Sequence, residues 1–193
     1  MRRLFHTIAF RLRQYAWIVR ARIRTLWWKM LGMKVGAWTL LPPIRATWPH
    51  QVSIGARCLL EDGIFFRFDG PWREGPAIVI GDRVFIGTGC EFNIQRGIVI
   101  GNHAQIASGC RFIDHDHELI RPDPSAPPVP EQTRHGAITL GESSWIGVEC
   151  VILRGVTIGR GAIIGAGAVV TKSVGDYEIW AGVPARKIGM RPE

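Results

Sequence analysis

Residues 138–170 read ITLGESSWIGVECVILRGVTIGRGAIIGAGAVV, and this stretch decides the fold. Divided into groups of six, it has a large aliphatic residue at the third place of every group: Leu140, Ile146, Ile152, Ile158, Ile164 and Val170. A mostly smaller side chain stands two residues before each of these: Ile138, Ser144, Cys150, Val156, Ala162 and Ala168. Six consecutive matches in one phase indicate a hexapeptide repeat.

The period of six predicts an all-β solenoid. Residues i and i−2 of a strand point to the same face, so both repeated positions point inward. Three short strands joined by tight corners close into a triangular coil, and stacked coils bury one apolar prism. Glycine follows the aliphatic residue at positions 141, 147, 159 and 165. We expect these glycines to occupy corners that need positive φ, where a Cβ is costly.

The same phase continues upstream once interruptions are allowed. The large position is filled by Ile54, Leu60, Phe66, Ile80, Ile86, Phe92, Ile100, Ile106 and Phe112. Grouped in threes with the later repeats, these residues predict about five coils. The extra segments 67–77, 93–97 and 113–137 each follow the third strand of a coil, so all three leave from one edge of the prism. Loops gathered on one edge of a rigid scaffold are a common location for functional sites.

The positive charge is confined to the beginning of the chain. The 193 residues carry a formal net charge of +8 and are long enough for one core. Residues 1–36 contain nine Lys or Arg and no Asp or Glu, whereas the remainder contains fifteen basic and sixteen acidic residues. The body is therefore nearly neutral, and its charge gives no indication of nucleic-acid binding.

Residues 1–35 are predicted to form a basic amphipathic helical arm. Apolar side chains recur at intervals of three and four: Leu4, Ile8, Leu12, Tyr15, Val19, Ile23, Trp27 and Met30 or Leu31. Arginines interrupt every apolar run, which disfavours a membrane span and a signal peptide. Two interpretations remain: residues 1–33 lie on an anionic membrane surface, or the helix packs on the body or a neighbouring subunit.

The flanks of the repeat are predicted to cover its ends. Residues 36–50 contain too many prolines for a helix and are expected to form an irregular first coil or cap, opening a β-helix domain over 36–173. Residues 174–193 are expected to form a C-terminal cap and tail. Cys58, Cys90, Cys110 and Cys150 all occupy the small inward position, which predicts buried free thiols. Thiols without disulfides favour the reducing cytoplasm, with the inner face of the membrane as the arm's location.

The long loop 113–137 contains the residues best suited to chemistry. Two histidines and three carboxylates lie between Asp114 and Glu118, and the prolines that follow are expected to exclude regular structure. Histidine suits general-base catalysis because its usual pKa lies near neutrality. From the local sequence alone, catalysis, divalent-metal binding and a merely solvated charged loop all remain open.

Two segments of the chain resemble a known superfamily. SSWIGVECVILRGVTIGRGAIIGAGAVVTKSV and the tail WAGVPARKI are similar to the hexapeptide-repeat acyltransferases, especially the maltose, galactoside, nodulation-factor and colanic-acid-type O-acetyltransferases. The resemblance implies a left-handed parallel β-helix that assembles as a homotrimer. It also implies that acetyl-CoA is the acyl donor, that a sugar hydroxyl of a polysaccharide or glycolipid precursor is the acceptor, and that no metal is required.

The resemblance also assigns candidate site residues. The family's catalytic histidine stands five residues beyond the last inward residue of its coil, and counting from Phe112 gives His117, with His115 as second choice. The acceptor-contacting asparagine corresponds to Asn93. The acidic residue that family members carry shortly afterwards is missing, and Glu91 or Asp114 is expected to compensate.

The donor-binding positions come from the C-terminal coils. Those that match the family pattern are Trp145, Gly147, Ala166, Thr171, Lys172 and Arg186. Lys172 and Arg186 are expected to meet the phosphates of CoA. Val148 replaces a serine that is frequent in the family, which removes a side-chain hydrogen bond and leaves backbone contacts available.

Two other classes compete with the acyltransferase interpretation. A zinc enzyme of the γ-carbonic-anhydrase type needs three histidines from the coil walls, but His103 falls at an outward corner while His115 and His117 share one loop. A non-enzymatic, membrane-attached scaffold is the other alternative, because the basic arm alone is sufficient for it.

Overall fold

The computed structural model describes residues 2–117 and 133–192, and its centre is a prism of three parallel sheets. Wall 1 contains β1 (Lys34–Val35), β3 (Val52–Ile54), β6 (Ile78–Ile80), β9 (Ile98–Ile100), β14 (Ile138–Leu140) and β17 (Thr157–Ile158). Wall 2 contains β4 (Leu59–Leu60), β7 (Phe85–Ile86), β10 (Gln105–Ile106), β15 (Trp145–Ile146), β18 (Ile163–Ile164), β20 (Glu178–Gly182) and β21 (Ala185–Met190). Wall 3 contains β2 (Arg45–Ala46), β5 (Phe65–Phe68), β8 (Glu91–Ile94), β11 (Arg111–Ile113), β16 (Val151–Ile152) and β19 (Val169–Val170).

The elements outside the walls are few. The helix α1 (Arg2–Met30) precedes the prism, a short 3-10 helix (Pro49–Gln51) precedes β3, and β12 (His115–His117) pairs with β13 (Thr133–His135) beside wall 3. The chain passes from wall 1 to wall 2 to wall 3 in every coil, so strands of neighbouring coils pair in parallel, whereas β21 at the end of wall 2 is antiparallel to β20. The all-β solenoid predicted from the repeat and the left-handed parallel β-helix implied by the resemblance are both confirmed.

The hexapeptide phase is visible in the register and the core. Inward positions of neighbouring coils face one another, as Leu140 does with Ile100 on wall 1. On wall 3, the rings of Phe66, Phe92 and Phe112 stack at centroid distances of 5.1 and 4.9 Å. The four cysteines are buried free thiols, as predicted from their inward positions. Stacking like residues on like residues buries one continuous apolar column.

The prism begins one turn earlier than the five predicted coils. Within residues 36–50 and the strand before them, β1 pairs with β3, Leu40 bridges to Leu59, and β2 pairs with β5. This segment therefore contacts all three walls and forms an incomplete first coil. The prolines that prevent a helix do not prevent these short pairings, because each wall needs only one or two residues.

The C-terminal half of α1 packs over this first coil. Ala21 and Thr25 are buried, and Trp28 packs against the core. The hydroxyl of Thr25 accepts a hydrogen bond from the amide of Leu41 at 2.9 Å, and Arg24 Nε donates to the Leu41 carbonyl at 3.2 Å. The helix thus covers the N-terminal opening of the prism. No helix among the described residues is long and apolar enough to cross a membrane.

The explanation predicted for the repeated glycines is wrong. None of Gly141, Gly147, Gly159 and Gly165 has positive φ. A Cβ on Gly141 would lie 2.5 Å from the amide nitrogen of Arg160, and one on Gly147 would lie 2.6 Å from that of Ala166. Gly141 and Gly147 are needed because the backbone of the next coil approaches too closely for a side chain.

Positive φ occurs instead two residues later in the repeat. Ser143 and Glu149 have φ of 57° and 56°, and Gly161 and Gly167 have 64° and 67°. The corner therefore tolerates non-glycine residues in the left-handed conformation.

The C-terminal end is covered by a hairpin. Val174 bridges to Ile158 on wall 1, β20 extends wall 2 by pairing with β18, and β21 folds back antiparallel on β20. The carboxylate of Glu178 accepts hydrogen bonds from Gly175 N and Trp180 Nε1 and pairs with Lys187 Nζ at 2.7 Å. These contacts connect the two strands of the hairpin to each other and to the turn that precedes them.

Candidate active site

The predicted gathering of insertions on one edge is confirmed by the topology. Strands β5, β8 and β11 all belong to wall 3, and the segments after them return to wall 1. We call the edge between wall 3 and wall 1 the insertion edge. It contains the turn 95–97 and the root of the long loop, whose residues 118–132 lie outside the described part of the chain.

The root of the long loop is a β-hairpin stem. Strands β12 and β13 are antiparallel, with His115 opposite His135, Asp116 opposite Arg134 and His117 opposite Thr133. The expectation that the loop lacks regular structure is therefore wrong for its two ends. The prolines begin only at position 122, so nothing in the sequence prevents residues 115–117 from donating to a partner strand.

Asp114 anchors this stem from inside the protein. Its carboxylate is fully buried and accepts hydrogen bonds from the amides of Gln95, Arg96 and Gly97 at 2.7–2.8 Å. Its Oδ1 also lies 3.2 Å from Nδ1 of His115, which is 9% exposed. A buried carboxylate is tolerated when hydrogen bonds replace its hydration. With these partners and no exposed surface, Asp114 is a structural anchor, which argues against the acceptor-contacting role expected for it.

The stem separates the two candidate histidines by burial. His115 is buried against Asp114, whereas His117 is exposed two residues further along the same strand. His117 lines a cleft of about 360 Å³ together with Asp116, Arg134 and Arg154. Only His117 of the two therefore presents its ring to a space that can admit a substrate.

Arg154 is a site residue that the sequence pattern did not predict. Its guanidinium forms an ion pair with Asp116 from the next coil, at the insertion edge. The repeat phase contains the signal that would have found it, because Arg154 follows β16 as the long loop follows β11. Two basic side chains, Arg134 and Arg154, thus flank His117 in the cleft.

The two acceptor candidates on the coil wall lie one coil before the loop. Glu91 and Asn93 are half-buried, outward-facing positions of β8, and Asn93 is directly opposite Ile113 in the neighbouring β11. The side-chain Oδ1 of Asn93 is buried and accepts no hydrogen bond from the described residues. Glu91 is opposite Arg111, further from the insertion edge.

The donor candidates do not all lie on the insertion edge of one chain. Thr171 and Lys172 follow β19 at the insertion edge, two coils beyond the long loop, and both are exposed. Gly147 and Ala166 instead lie one above the other at the edge between walls 2 and 3. Trp145, on wall 2, is 50% exposed.

Arg186 lies in the C-terminal hairpin. It belongs to β21 and donates from Nη1 to its neighbour's carbonyl oxygen, that of Ala185, at 2.8 Å. One chain therefore divides the expected donor positions between two edges and the hairpin.

The histidines of the described residues are not arranged as a metal site. His103 lies at the edge between walls 1 and 2 with φ of 59°, on a different edge from His115 and His117. Among residues 2–117 and 133–192 no group of three or more His, Cys, Asp or Glu is arranged to hold one.

Known proteins that are similar to this chain are hexapeptide-repeat transferases and acetyltransferases. The family "Bacterial transferase hexapeptide (six repeats)" matches residues 137–172, and "Hexapeptide repeat of succinyl-transferase" matches residues 77–110. A probable acetyltransferase of Mycobacterium tuberculosis, Rv3034c, is 37% identical over 112 residues, which are 58% of this chain and 36% of the relative. A chloramphenicol acetyltransferase of Agrobacterium fabrum is 39% identical over 56 residues, 29% of this chain and 27% of that protein. The chain thus spans about a third or less of the length of these curated relatives.

Solved structures match over most of the chain. AntD, an N-acyltransferase from Bacillus cereus in complex with dTDP-4-amino-4,6-dideoxyglucose and coenzyme A, has a TM-score of 0.73 at 25% identity, covering 86% of this chain and 88% of AntD. The acetyltransferase VCA0836 of Vibrio cholerae, complexed with acetyl-CoA, has a TM-score of 0.63 at 23% identity, covering 89% and 78%. Fold and repeat together define a hexapeptide-repeat protein of the left-handed β-helix class. Residues 77–110 and 137–172 match models of hexapeptide-repeat transferases, and the chain is similar to acyltransferases in sequence and fold.

Proposed function

We propose that this protein is an acyl-CoA-dependent acetyltransferase that modifies a hydroxyl of a sugar, with His117 as general base. The single observation that supports this best is the position of His117, which is exposed in a cleft on a stem fixed by the buried Asp114. General-base catalysis needs a side chain with access to the substrate and a fixed orientation, and this position provides both.

The reaction proposed is direct transfer. The acceptor hydroxyl oxygen attacks the thioester carbonyl of acetyl-CoA while His117 takes the hydroxyl proton. The carbon–oxygen bond forms, the carbon–sulfur bond breaks, and the proton returns to the CoA thiolate. General-base catalysis of this kind typically contributes about 10²–10⁴-fold to the rate. Arg134 and Arg154, which flank His117, are suited to hold an anionic part of either substrate.

A homotrimer would complete the site. Gly147 and Ala166 lie on a different edge from His117, while Thr171 and Lys172 share its edge. Acetyl-CoA would have to contact both sets of residues while its thioester reaches His117. A groove between two copies of the chain allows this better than the surface of one copy does. Acetyl-CoA would then contact the C-terminal coils of one subunit and the loop of its neighbour.

The acceptor belongs to the sugars, and polysaccharide or glycolipid precursors are the preferred class. The residue that supports this class is Asn93, a half-buried, outward-facing residue of β8 beside the root of the loop, at the position that the family resemblance assigns to acceptor contact. A second candidate is N-acylation of an amino sugar carried on a nucleotide, because AntD, with 25% identity, is an N-acyltransferase complexed with such a compound. Both a hydroxyl and a neutral amine can give a proton to a general base, so kcat/KM measured with a sugar and with its amino-sugar analogue distinguishes the two acceptors.

The proposal extends to the cytoplasmic face of an anionic membrane, where α1 is the attachment. Large apolar side chains of the helix remain exposed: Ile8, Leu12, Tyr15, Val19, Ile23, Leu26, Trp27 and Met30. Leu4 lies outside the residues whose side chains the structure describes. Arginines in the same helix supply attraction to acidic lipids. Trp27, 55% exposed, is suited to the interfacial region.

Turnover of acetyl-CoA tests the enzymatic proposal. We expect wild-type protein to release CoA in the presence of one member of a panel of sugars, nucleotide sugars, nucleotide amino sugars and lipid-linked saccharides, and the His117→Ala variant to release little. Stabilisation of the protein against heating by CoA provides an independent readout of donor binding. A protein that neither binds CoA nor turns over any acceptor, while remaining folded, would be the non-enzymatic scaffold instead.

A further inference from the structure

The helix α1 has two functional faces that point in nearly opposite directions. With about 100° of rotation per residue, Ala21, Thr25 and Trp28 share one face, which packs on the first coil. The exposed apolar stripe, represented by Val19 and Ile23, lies on the other side of the helix. The stripe is therefore directed away from the body while the helix is held in place by its opposite face.

A row of basic residues lies between these two faces. Arg13, Arg20 and Arg24 recur at intervals of seven and four and follow one border of the apolar stripe. They line a groove of about 590 Å³ between α1 and the body, whose other side is formed by Pro43 and Asp62. Trp17 also lines the groove and is 39% exposed.

We propose that this groove binds the phosphate headgroup of a membrane lipid, in the form of a phosphomonoester or diphosphate. The inference rests on the membrane attachment included in the proposed function. When the apolar stripe enters the acyl region, a row at its border lies at the depth of the headgroups. Guanidinium groups bind phosphate oxygens through paired hydrogen bonds, and three of them can satisfy several oxygens at once.

The charges in the groove favour a multiply charged group. Arg13, Arg20 and Arg24 against Asp62 give three positive charges and one negative, a formal total of +2. Arg24 is held in the groove by a hydrogen bond from its Nε to the Leu41 carbonyl, which fixes the orientation of its guanidinium group. A phosphodiester offers one negative charge and two free oxygens, whereas a monoester or diphosphate offers more of both.

The opposite border of the stripe provides a matched control. Arg11 and Arg22 lie there with the same charge and similar exposure, but they do not line the groove. General attraction to an anionic surface depends on both borders alike, because each arginine contributes a similar electrostatic term. A headgroup site depends on the groove border alone.

Vesicle binding by the full-length protein tests the inference. Phosphatidylcholine vesicles would contain either phosphatidic acid, a monoester, or phosphatidylglycerol, a diester, adjusted to equal surface charge. We expect wild type to bind the phosphatidic-acid vesicles about tenfold more tightly. The variant Arg13→Gln/Arg20→Gln should lose this preference, whereas Arg11→Gln/Arg22→Gln should bind both vesicles more weakly and keep the ratio. Glutamine is chosen because it retains helix propensity.

Three results would overturn the inference. Equal ratios in the two double variants would mean that the groove contributes only general charge. Tight binding of inorganic pyrophosphate that depends on Arg13 and Arg20, without preference between the vesicles, would make the groove a site for a free anion. Absence of binding to either vesicle would overturn the membrane attachment together with the headgroup site, while acetyl-CoA turnover would still report separately on the enzymatic proposal.

Discussion

Oδ1 of Asp114 lies 3.2 Å from Nδ1 of His115, and the same carboxylate accepts hydrogen bonds from three consecutive backbone amides of the turn 95–97. One buried side chain therefore connects the loop that carries His117 to the turn that follows Asn93. The backbone adds to this connection, because Gly136 donates to the Asp114 carbonyl at 2.9 Å. Both ends of the long loop and the candidate acceptor side are thus held as one unit.

Replacing Asp114 should disturb both stability and activity. Asp114→Ala leaves three inward-facing amides without their acceptor, and we expect a loss of about 3–5 kcal/mol in the free energy of unfolding. Because the loop root would shift, kcat should fall even under conditions where the variant is folded. Asp116→Ala is the matched control, since Asp116 is exposed and its ion pair with Arg154 should contribute less than about 1 kcal/mol. Chemical denaturation measures the difference, and equal losses for the two variants would contradict the anchor role.

Replacing His117 should mainly lower activity, whereas replacing His115 should mainly lower stability. We expect His117→Ala to lower kcat by about 10²–10⁴-fold with little change in the unfolding temperature, because the side chain is exposed. His115→Ala should lower stability, since the buried ring packs against Asp114, and should retain measurable turnover. Steady-state kinetics with both purified variants decides the matter. A folded His115→Ala protein that is inactive beside an active His117→Ala protein would reverse the assignment.

The sequence was sufficient for the fold because the repeat is redundant. A position such as Ile146 is specified again at Ile164, so one substitution cannot hide the period. The phase also located the insertion edge and the inward cysteines. It did not provide the reason for the glycines, because the distance between stacked backbones at Gly141 depends on the register of the next coil.

The site was less predictable because its contacts are not periodic. The ion pair of Arg154 with Asp116 joins residues 38 positions apart, across the long loop. The burial of Asp114 depends on amides of a different coil, and a charged residue in a run of DHDHE gives no sign of it. The apolar stripe of α1 was predicted, but its packing face was not, since the small residues Ala21 and Thr25 contribute nothing to an apolar pattern.

Substitutions at two glycines separate two effects on stability: the close approach of the next coil's backbone and the strain of a positive φ. In Gly141→Ala the new Cβ would lie 2.5 Å from a backbone nitrogen of the next coil, so two coils must separate. We expect a loss of several kcal/mol, well above the roughly 1–2 kcal/mol expected for Gly155→Ala, which has φ of 71° and open space around its Cβ. Gly155→Asn should be milder still, because asparagine tolerates the left-handed region. Thermal unfolding ranks the three variants, and a neutral Gly141→Ala would disprove the close-packing explanation.

The apolar stripe of α1 provides a second test of membrane attachment. Leu12 and Ile23 are 64% and 63% exposed, so Leu12→Ser/Ile23→Ser should leave the unfolding temperature almost unchanged. The same variant should lose most of its binding to anionic vesicles, because burial of each such side chain contributes about 1.5–3 kcal/mol. Sedimentation with vesicles measures binding, and light scattering measures the number of subunits. Unchanged vesicle binding with fewer subunits would assign the stripe to a subunit interface.

The ion pair in the hairpin that covers the last coil should make the stability of the protein depend on pH. The hydrogen bond from Lys187, with those from the Gly175 amide and the Trp180 indole, lowers the pKa of Glu178 from 4.5 to about 2. A lowered pKa means that the ionised carboxylate is favoured in the folded state, so its contribution is complete above about pH 4.5 and is lost as the pH falls towards 2. Glu178→Gln should therefore be less stable than wild type at neutral pH, and the difference should shrink over this range. Lys187→Met should reproduce the effect by removing the first partner. Unfolding temperatures recorded between pH 7 and pH 2 provide the measurement, and a difference that stays constant across that range would show that the charge of Glu178 does not stabilise the hairpin.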